Sequence, residues 1–174
     1  NLIALNIKPN NSSALFNHGI YFFNEDKYED AIEYFSKSIK VDSEYMLAYY
    51  MRGRSYYSLD SETIAIKNFD KAIQIDPDYA LAYSYRASSN YILKNYKKAV
   101  NDYKKAKSID SDVYIWKLAY ENSINEYNKI KSAIEKANRY SNNLKNKTKE
   151  YNKIKIGDYF KGGIVFSKNY KILQ

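Results

Sequence analysis

The stretch FDKAIQIDPDYALAYSYRA, residues 69–87, places Asp76-Pro77-Asp78 between two segments of helical composition. The residue before a proline avoids the α-helical region, whereas proline and acidic side chains are favoured at the start of a helix. Similar breaks fall at Ser43 and at Ser111, which lie at equal distances along the chain before and after Pro77. We therefore interpret the break as a joint between repeated units.

Five further sets of aligned residues repeat with the same 34-residue step as these breaks. They are Leu15, Tyr49 and Tyr83; Gly19, Gly53 and Ala87; Ala31, Ala65 and Ala99; Phe35, Phe69 and Tyr103; and Ser38, Ala72 and Ala106. Residues 46–79 and 80–113 are identical at 13 of 34 aligned positions. Small residues allow two helices to approach closely, and large residues fill the space beside them. The period predicts helical hairpins that bury their apolar faces by stacking on one another.

This pattern resembles the tetratricopeptide repeat (TPR) family, in which large, small, aromatic, Ala, Phe, Ala and Pro positions recur with the same period. The matching units are 12–45, 46–79 and 80–113. The departures are Asn90, where Phe22 and Tyr56 precede it, and serine in place of proline at two of the breaks. The resemblance implies an all-α solenoid of helical hairpins, wound as a right-handed superhelix.

The two ends depart from the repeat. Residues 1–11 align with the end of a second helix, so we expect them to be the remnant of a preceding TPR, with further units upstream. We expect 114–156 to form a degenerate repeat followed by a capping helix. For the tail, 157–174, two interpretations stay open: a β-hairpin with its turn at Gly162-Gly163, or the start of another module.

Composition restricts the chemistry that the chain can perform. Five Gly and two Pro favour a helical protein. The absence of Cys excludes a disulfide scaffold and a thiol nucleophile, and it is compatible with cytoplasm or periplasm. His18, the single histidine, is interpreted as a packing residue because it has no paired acid or nucleophile. We find no phosphate-binding or nucleophile motif, and therefore predict no catalytic residue, metal site, cofactor or enzyme activity.

No apolar run approaches the roughly 18–20 residues that span a bilayer. We therefore predict no membrane span within these residues. The sequence assigns neither a compartment nor an oligomeric state.

The TPR resemblance implies that the first helix of each unit lines a concave face that binds a peptide or a helix of a partner protein. The positions carried over are Phe16, Ile20, Phe23, Leu47, Tyr50, Arg54, Tyr57, Leu81, Ser84, Ser88 and Tyr91. Tyr and Arg are common at the energetic centres of interfaces. We expect an exposed role for the cluster Tyr50, Arg54 and Tyr57, while individual rings can instead pack between units.

One TPR subtype holds the terminal carboxylate of heat-shock chaperones with Lys and Asn of one repeat and Lys and Arg of a later one. The matching positions here carry Phe16, Ile20, Leu81 and Tyr85. None of these can bind a carboxylate as lysine or arginine does. We therefore expect no carboxylate clamp, and an apolar or aromatic peptide or helix as the ligand.

Charge supplies a second hypothesis. The chain carries a net charge of +8, with −3 on residues 1–93 and +11 on residues 94–174. The Lys-rich second half is suited to nucleic acid or another polyanion, with Tyr151 and Tyr159 available for base stacking. The alternative interpretation of these lysines is a solvated surface.

Overall fold

A computed structural model describes residues 11–111 and 117–161, with side chains at 11–111 and 121–150. The helices are α1 (Ser12–Asn24), α2 (Tyr28–Val41), α3 (Met46–Ser58), α4 (Glu62–Ile75), α5 (Ala80–Ile92), α6 (Tyr96–Ile109) and α7 (Lys117–Lys161). Within these ranges there is no β-strand. The predicted all-α architecture is confirmed.

The first six helices form three hairpins: α1 with α2, α3 with α4, and α5 with α6. Each helix also packs on the next one along the chain, so that α2 contacts α3 and α4 contacts α5. The chain reverses within each hairpin at Asp26, Asp60 and Lys94, which have φ angles of 56°, 51° and 60°. Aspartate tolerates this left-handed conformation because its short side chain can hydrogen-bond locally, whereas lysine gains no such compensation. The three turns therefore use one backbone geometry, repeated with the period of the sequence.

The joints between hairpins are set by aspartates in extended conformation that follow the second helices. Asp76 donates its backbone N–H to the carbonyl of Ala72 at 2.9 Å, and its Oδ1 accepts from the N–H of Asp78 at 3.0 Å. Asp42 makes the equivalent bonds after α2. The break in the stretch 69–87 is thus a local turn around an acidic side chain.

The hairpins are held by rings that lie against glycine. Phe35 and Phe69 are fully buried, and each faces the glycine of its own hairpin, Gly19 or Gly53. A Cβ atom on Gly53 would lie 2.7 Å from Cε1 of Phe69, closer than packed atoms approach. The glycines are therefore required by close helix contact rather than by an unusual φ angle.

The region after the third hairpin differs from the prediction. The chain divides into two units, residues 1–127 and 128–174, and α7 begins in the first and continues in the second. Instead of a degenerate hairpin followed by a capping helix, 117–161 form one continuous helix. The physical reason is that residues 117–156 contain no Gly and no Pro to end it.

Two predictions concern the chain ends. Residues 157–161, expected to open the tail, belong to the last turns of α7, because a single glycine at 157 costs a helix only about 1 kcal/mol. Gly162-Gly163 and the rest of the proposed hairpin lie outside the described residues, and so do residues 1–10 of the proposed remnant. Asn11 caps α1, its Oδ1 accepting from the N–H of Ser13 at 3.0 Å.

Candidate functional site

The residues predicted to line a groove lie on the first helices of the hairpins, α1, α3 and α5. Those that are half-buried are Phe16, Ile20, Phe23, Leu47, Arg54, Tyr57, Leu81 and Tyr91. Those that are buried are Tyr50, Ser84 and Ser88. Alternate first helices contact one another, α1 with α3 and α3 with α5, so these side chains belong to one face of the stack.

The exposed role expected for Tyr50 is wrong. Only 4% of Tyr50 is exposed. Its ring packs edge-on against Tyr79, with the two ring centres 4.9 Å apart, and against Tyr85 at 5.7 Å. Burial raises the pKa of its phenol above the ordinary value. Tyr50 therefore joins the second hairpin to the third.

Arg54 occupies the middle of this face, surrounded by rings from three helices. Its guanidinium carbon lies 4.8 Å from the ring centre of Phe23 on α1 and 5.1 Å from that of Tyr85 on α5. The ring of Tyr50, on the same helix as Arg54, is 5.8 Å away. The Nε atom is buried and has no hydrogen-bond partner among the described residues. Arg54 is a cation held by aromatic faces rather than by a carboxylate.

The rings around Arg54 extend into a continuous aromatic band. Tyr57 packs edge-on against Tyr85 with ring centres 5.8 Å apart, and Phe23 packs against Tyr28 of α2 at 5.3 Å. Burial raises the pKa of Tyr57, so its phenol stays neutral at physiological pH. We call Phe23, Arg54, Tyr57 and Tyr85 the aromatic band. The sequence indicates Tyr85 only as a clamp position, although its ring joins the second hairpin to the third.

The third hairpin contributes small polar side chains to the same face. The Ser88 hydroxyl lies 3.1 Å from the phenol of Tyr103, and it donates to the backbone carbonyl of Ser84 at 3.2 Å. Burial raises the pKa of Tyr103 to about 12. Ser84 and Ser88 are themselves buried, and they stand at the positions that Tyr50 and Arg54 occupy in the second hairpin. The face therefore carries small hydroxyl groups on α5 where α3 carries large side chains.

Neighbouring hairpins are also joined by two arginines, Arg52 on α3 and Arg86 on α5. Arg86 makes two hydrogen bonds to Asp102, from Nε at 2.9 Å and from Nη2 at 2.6 Å, and one from Nη1 to Asp70 at 2.6 Å. Arg52 makes the corresponding bonds to neutral partners, Asn68 at 2.7 Å and Ser36 at 3.0 Å. Each arginine thus bonds to side chains 16 positions before and after it.

A cavity of about 310 Å³ lies beside Arg86, lined by Ile66, Asp70, Arg86, Asn90, Lys98, Asn101 and Asp102. Asn90 stands where the earlier units carry Phe22 and Tyr56. In the first hairpin the Phe22 ring stacks on Tyr34, with ring centres 5.2 Å apart. In the third hairpin the shorter Asn90 side chain does not fill the volume that an aromatic ring would occupy, and the cavity lies beside it.

His18 lies at the position of the two arginines in the first hairpin. Its ring stacks on Tyr34 with ring centres 5.4 Å apart, in agreement with a packing role. Among the side chains that the structure describes, no group of three or more His, Cys, Asp or Glu could hold a metal ion. None of the described helices combines the length and the apolar character that crossing a bilayer requires.

Comparison with known proteins identifies the repeats. The family model described as "Tetratricopeptide repeat" matches residues 16–80 and 50–113. A comparison with curated proteins gave no match.

Three solved structures are similar. The first TPR domain of the human RPAP3 protein has a TM-score of 0.66 at 19% identity, covering 71% of this chain and 98% of that one. The crystal structure of MamA has a TM-score of 0.61 at 25% identity, covering 78% of this chain and 85% of that one. The first TPR of Spaghetti (RPAP3), bound to the HSP90 peptide SRMEEVD, has a TM-score of 0.59 at 22% identity, covering 71% and 93%. TPR domains mediate protein–protein interactions and are typically scaffolds without catalytic activity. The family match covers more than half of the sequence, and the chain belongs to the tetratricopeptide repeat family.

Proposed function

We propose that this protein is an interaction scaffold whose α1–α3–α5 face binds a peptide or a helix of a partner protein. The observation that carries the proposal is the aromatic band, in which rings of three successive first helices surround Arg54. Half-buried rings beside a cation offer large apolar area together with hydrogen-bond donors, the combination that dominates interface energetics.

The ligand is an apolar or aromatic segment rather than a chaperone tail. One structural neighbour is bound to an acidic peptide. In the present chain the clamp positions Phe16 and Tyr85 are occupied by rings, and the Phe16 ring packs on Tyr45 with ring centres 5.1 Å apart. Such positions offer a peptide carboxylate no cation.

Peptides selected from a random 12-residue library on the full chain test this proposal. We expect the double variant Leu47→Ser and Tyr57→Ser to bind a selected peptide at least ten-fold more weakly by fluorescence anisotropy. Both side chains are half-buried, so the variant should fold, which a melting curve verifies. Ile64→Ser on α4 is the matched control, since Ile64 is exposed and outside this face.

Two results would contradict the proposal in different ways. If selected peptides bind the double variant as tightly as they bind Ile64→Ser, the α1–α3–α5 face is not the binding site. Tight binding of the SRMEEVD peptide would retain the face and overturn the apolar ligand.

A second candidate function, nucleic-acid or polyanion binding, rests on the second half of the chain. Residues 128–150 carry seven Lys or Arg and two Glu, a net charge of +5, and every one of these residues is exposed. Binding of this kind weakens steeply as salt is added. Titration of a 20-nucleotide single-stranded DNA at low and at physiological salt tests it, and absence of binding at low salt would exclude it.

A further inference from the structure

In the part of the second unit whose side chains the structure describes, α7 presents exposed apolar side chains. Between Asn128 and Glu150 every side chain of α7 is exposed. The apolar ones include Ile130, Ile134 and Leu144, which are 45%, 55% and 48% exposed. Helices in proteins owe most of their stability to packing of one face, and exposed aliphatic side chains that form a continuous line, rather than standing singly, indicate an interaction surface.

These side chains follow a coiled-coil spacing. Steps of three and four residues alternate along one line of the helix, which we call the α7 seam: Ile130, Ile134, Ala137, Ser141, Leu144 and Thr148. An average step of 3.5 residues keeps one face directed at a partner helix. The Thr148 hydroxyl donates to the carbonyl of Leu144 at 2.9 Å, so its polar group is satisfied within α7.

Charge is excluded from the α7 seam. Residues 128–150 contain nine charged side chains, and none of them falls on a seam position. The cations next to the seam include Lys131, Lys145 and Lys147. In coiled coils, charges beside the seam select the partner by attraction or repulsion.

We propose that the α7 seam binds an amphipathic helix of a partner protein whose flanking positions are acidic. A second copy of this chain would bring together two segments of net charge +5, which repel one another. A nucleic acid would satisfy the lysines but would leave Ile130, Ile134 and Leu144 in water. An acidic helix with apolar seam residues satisfies both the apolar line and the charge beside it.

The test uses the full chain and two synthetic 28-residue helical peptides. Both peptides carry Ile and Leu at the seam positions; one has Glu at the flanking positions, and the other has Lys. We expect the Glu peptide to bind at least ten-fold more tightly than the Lys peptide by fluorescence anisotropy. We expect Ile134→Asp, and separately Leu144→Asp, to weaken that binding at least ten-fold.

Ser132→Asp is the matched control, because it adds the same charge to an exposed residue off the seam. It should weaken binding of the Glu peptide less than three-fold. Equal loss in Ile134→Asp and Ser132→Asp would overturn the proposal, since charge alone would then explain the binding.

Two further outcomes would overturn the proposal. Sedimentation showing a dimer of the full chain that Ile134→Asp dissociates would assign the α7 seam to a second copy. Binding of a 20-nucleotide single-stranded DNA that Ile134→Asp leaves unchanged, together with no binding of the Glu peptide, would assign the helix to a polyanion.

Discussion

The second hairpin, α3 and α4, and the third, α5 and α6, place an arginine at the same position and surround it differently. Arg52 bonds to neutral side chains, and burial lowers its pKa. Burial acts against the charge of Arg86 as well, but its bonds to Asp102 and Asp70 outweigh that effect and raise its pKa. One backbone geometry therefore accommodates a half-buried cation with or without a matching anion.

The ring contacts of the two hairpins also differ: they are apolar in the second hairpin and partly polar in the third. In the second hairpin the fully buried ring of Phe69 packs directly against Gly53, which has no side chain. In the third hairpin Ala87 and Tyr103 occupy these positions, and the phenol of Tyr103 is 3.1 Å from the Ser88 hydroxyl. At these positions the second hairpin depends on apolar fit and the third on a polar contact. The predictions that follow test that difference.

The largest effect is expected from Gly53→Val. A Cβ at this position would lie 2.7 Å from a Phe69 ring atom, and a buried ring has little room to move. We expect the free energy of unfolding to fall by about 3 kcal/mol, as urea unfolding would measure. Ala87→Gly in the third hairpin is the control and should cost about 1.5 kcal/mol, from helix propensity and the loss of one buried methyl group. Equal costs at the two positions would contradict the difference in packing.

Asp102→Ala should destabilise the third hairpin by about 2 kcal/mol, because it leaves the Arg86 charge half-buried without its main partner. The Asp102 side chain is 11% exposed, whereas that of Asp70 is 53% exposed. Asp70→Ala should therefore cost only about 0.5 kcal/mol in the same urea experiment. A cost for Asp70→Ala that matches Asp102→Ala would show that burial does not control the strength of these bonds.

Alkaline pH should weaken the third hairpin through Tyr103. Burial raises the pKa of this phenol to about 12, against 10.0 for an ordinary tyrosine. Its contribution to stability is complete below pH 10 and is lost as the pH rises to about 12, because the unfolded chain ionises first. In Tyr103→Phe we expect the slope of unfolding free energy against pH above 10 to be smaller by about 1 kcal/mol per pH unit. Tyr140→Phe on exposed α7 is the matched control, and an equal change of slope there would refute the assignment.

The smallest effect is a gain in the second hairpin. Ser36 is aligned with Asp70, and its hydroxyl accepts from Nη1 of Arg52 at 3.0 Å. Ser36→Asp should reproduce the outer half of the Arg86 cluster and stabilise the stack by about 0.5 kcal/mol. Thermal melts at low and high salt measure this gain, and it should shrink as salt is added. Ser36→Asn is the uncharged control.

The period of the sequence was sufficient to predict the three hairpins, because small and large residues at fixed spacing determine which helix faces can meet. The period did not indicate that Tyr50 would be covered, since that depends on how Tyr79 and Tyr85 of the next hairpin lie over it. Within 117–161 the repeat spacing taken alone favours a further unit, because an alanine, Ala133, stands one period after Ala99. The absence of any helix-breaking residue was the stronger signal there.

The groove positions followed from the family resemblance, and their role in binding stays a prediction. Tyr85 was missed as a member of the aromatic band, because its side chain joins two hairpins rather than lining one helix. The arginine clusters were also missed, although the sequence carries a signal for one of them: Asp70 and Asp102 stand at equal distances along the chain before and after Arg86. A search for opposite charges at that spacing would have found it.

The equal spacing of the arginine bonds also limits how the units can be shuffled. Each arginine hydrogen-bonds to a side chain of the preceding unit, so the order of the units determines which side chain it meets. Deleting 46–79 would bring Arg86 against Ser36 in place of Asp70. A tandem copy of 80–113 inserted after residue 113 would place its arginine against Lys104, a repulsive neighbour. In the natural sequence the residue at that position is the uncharged Tyr120.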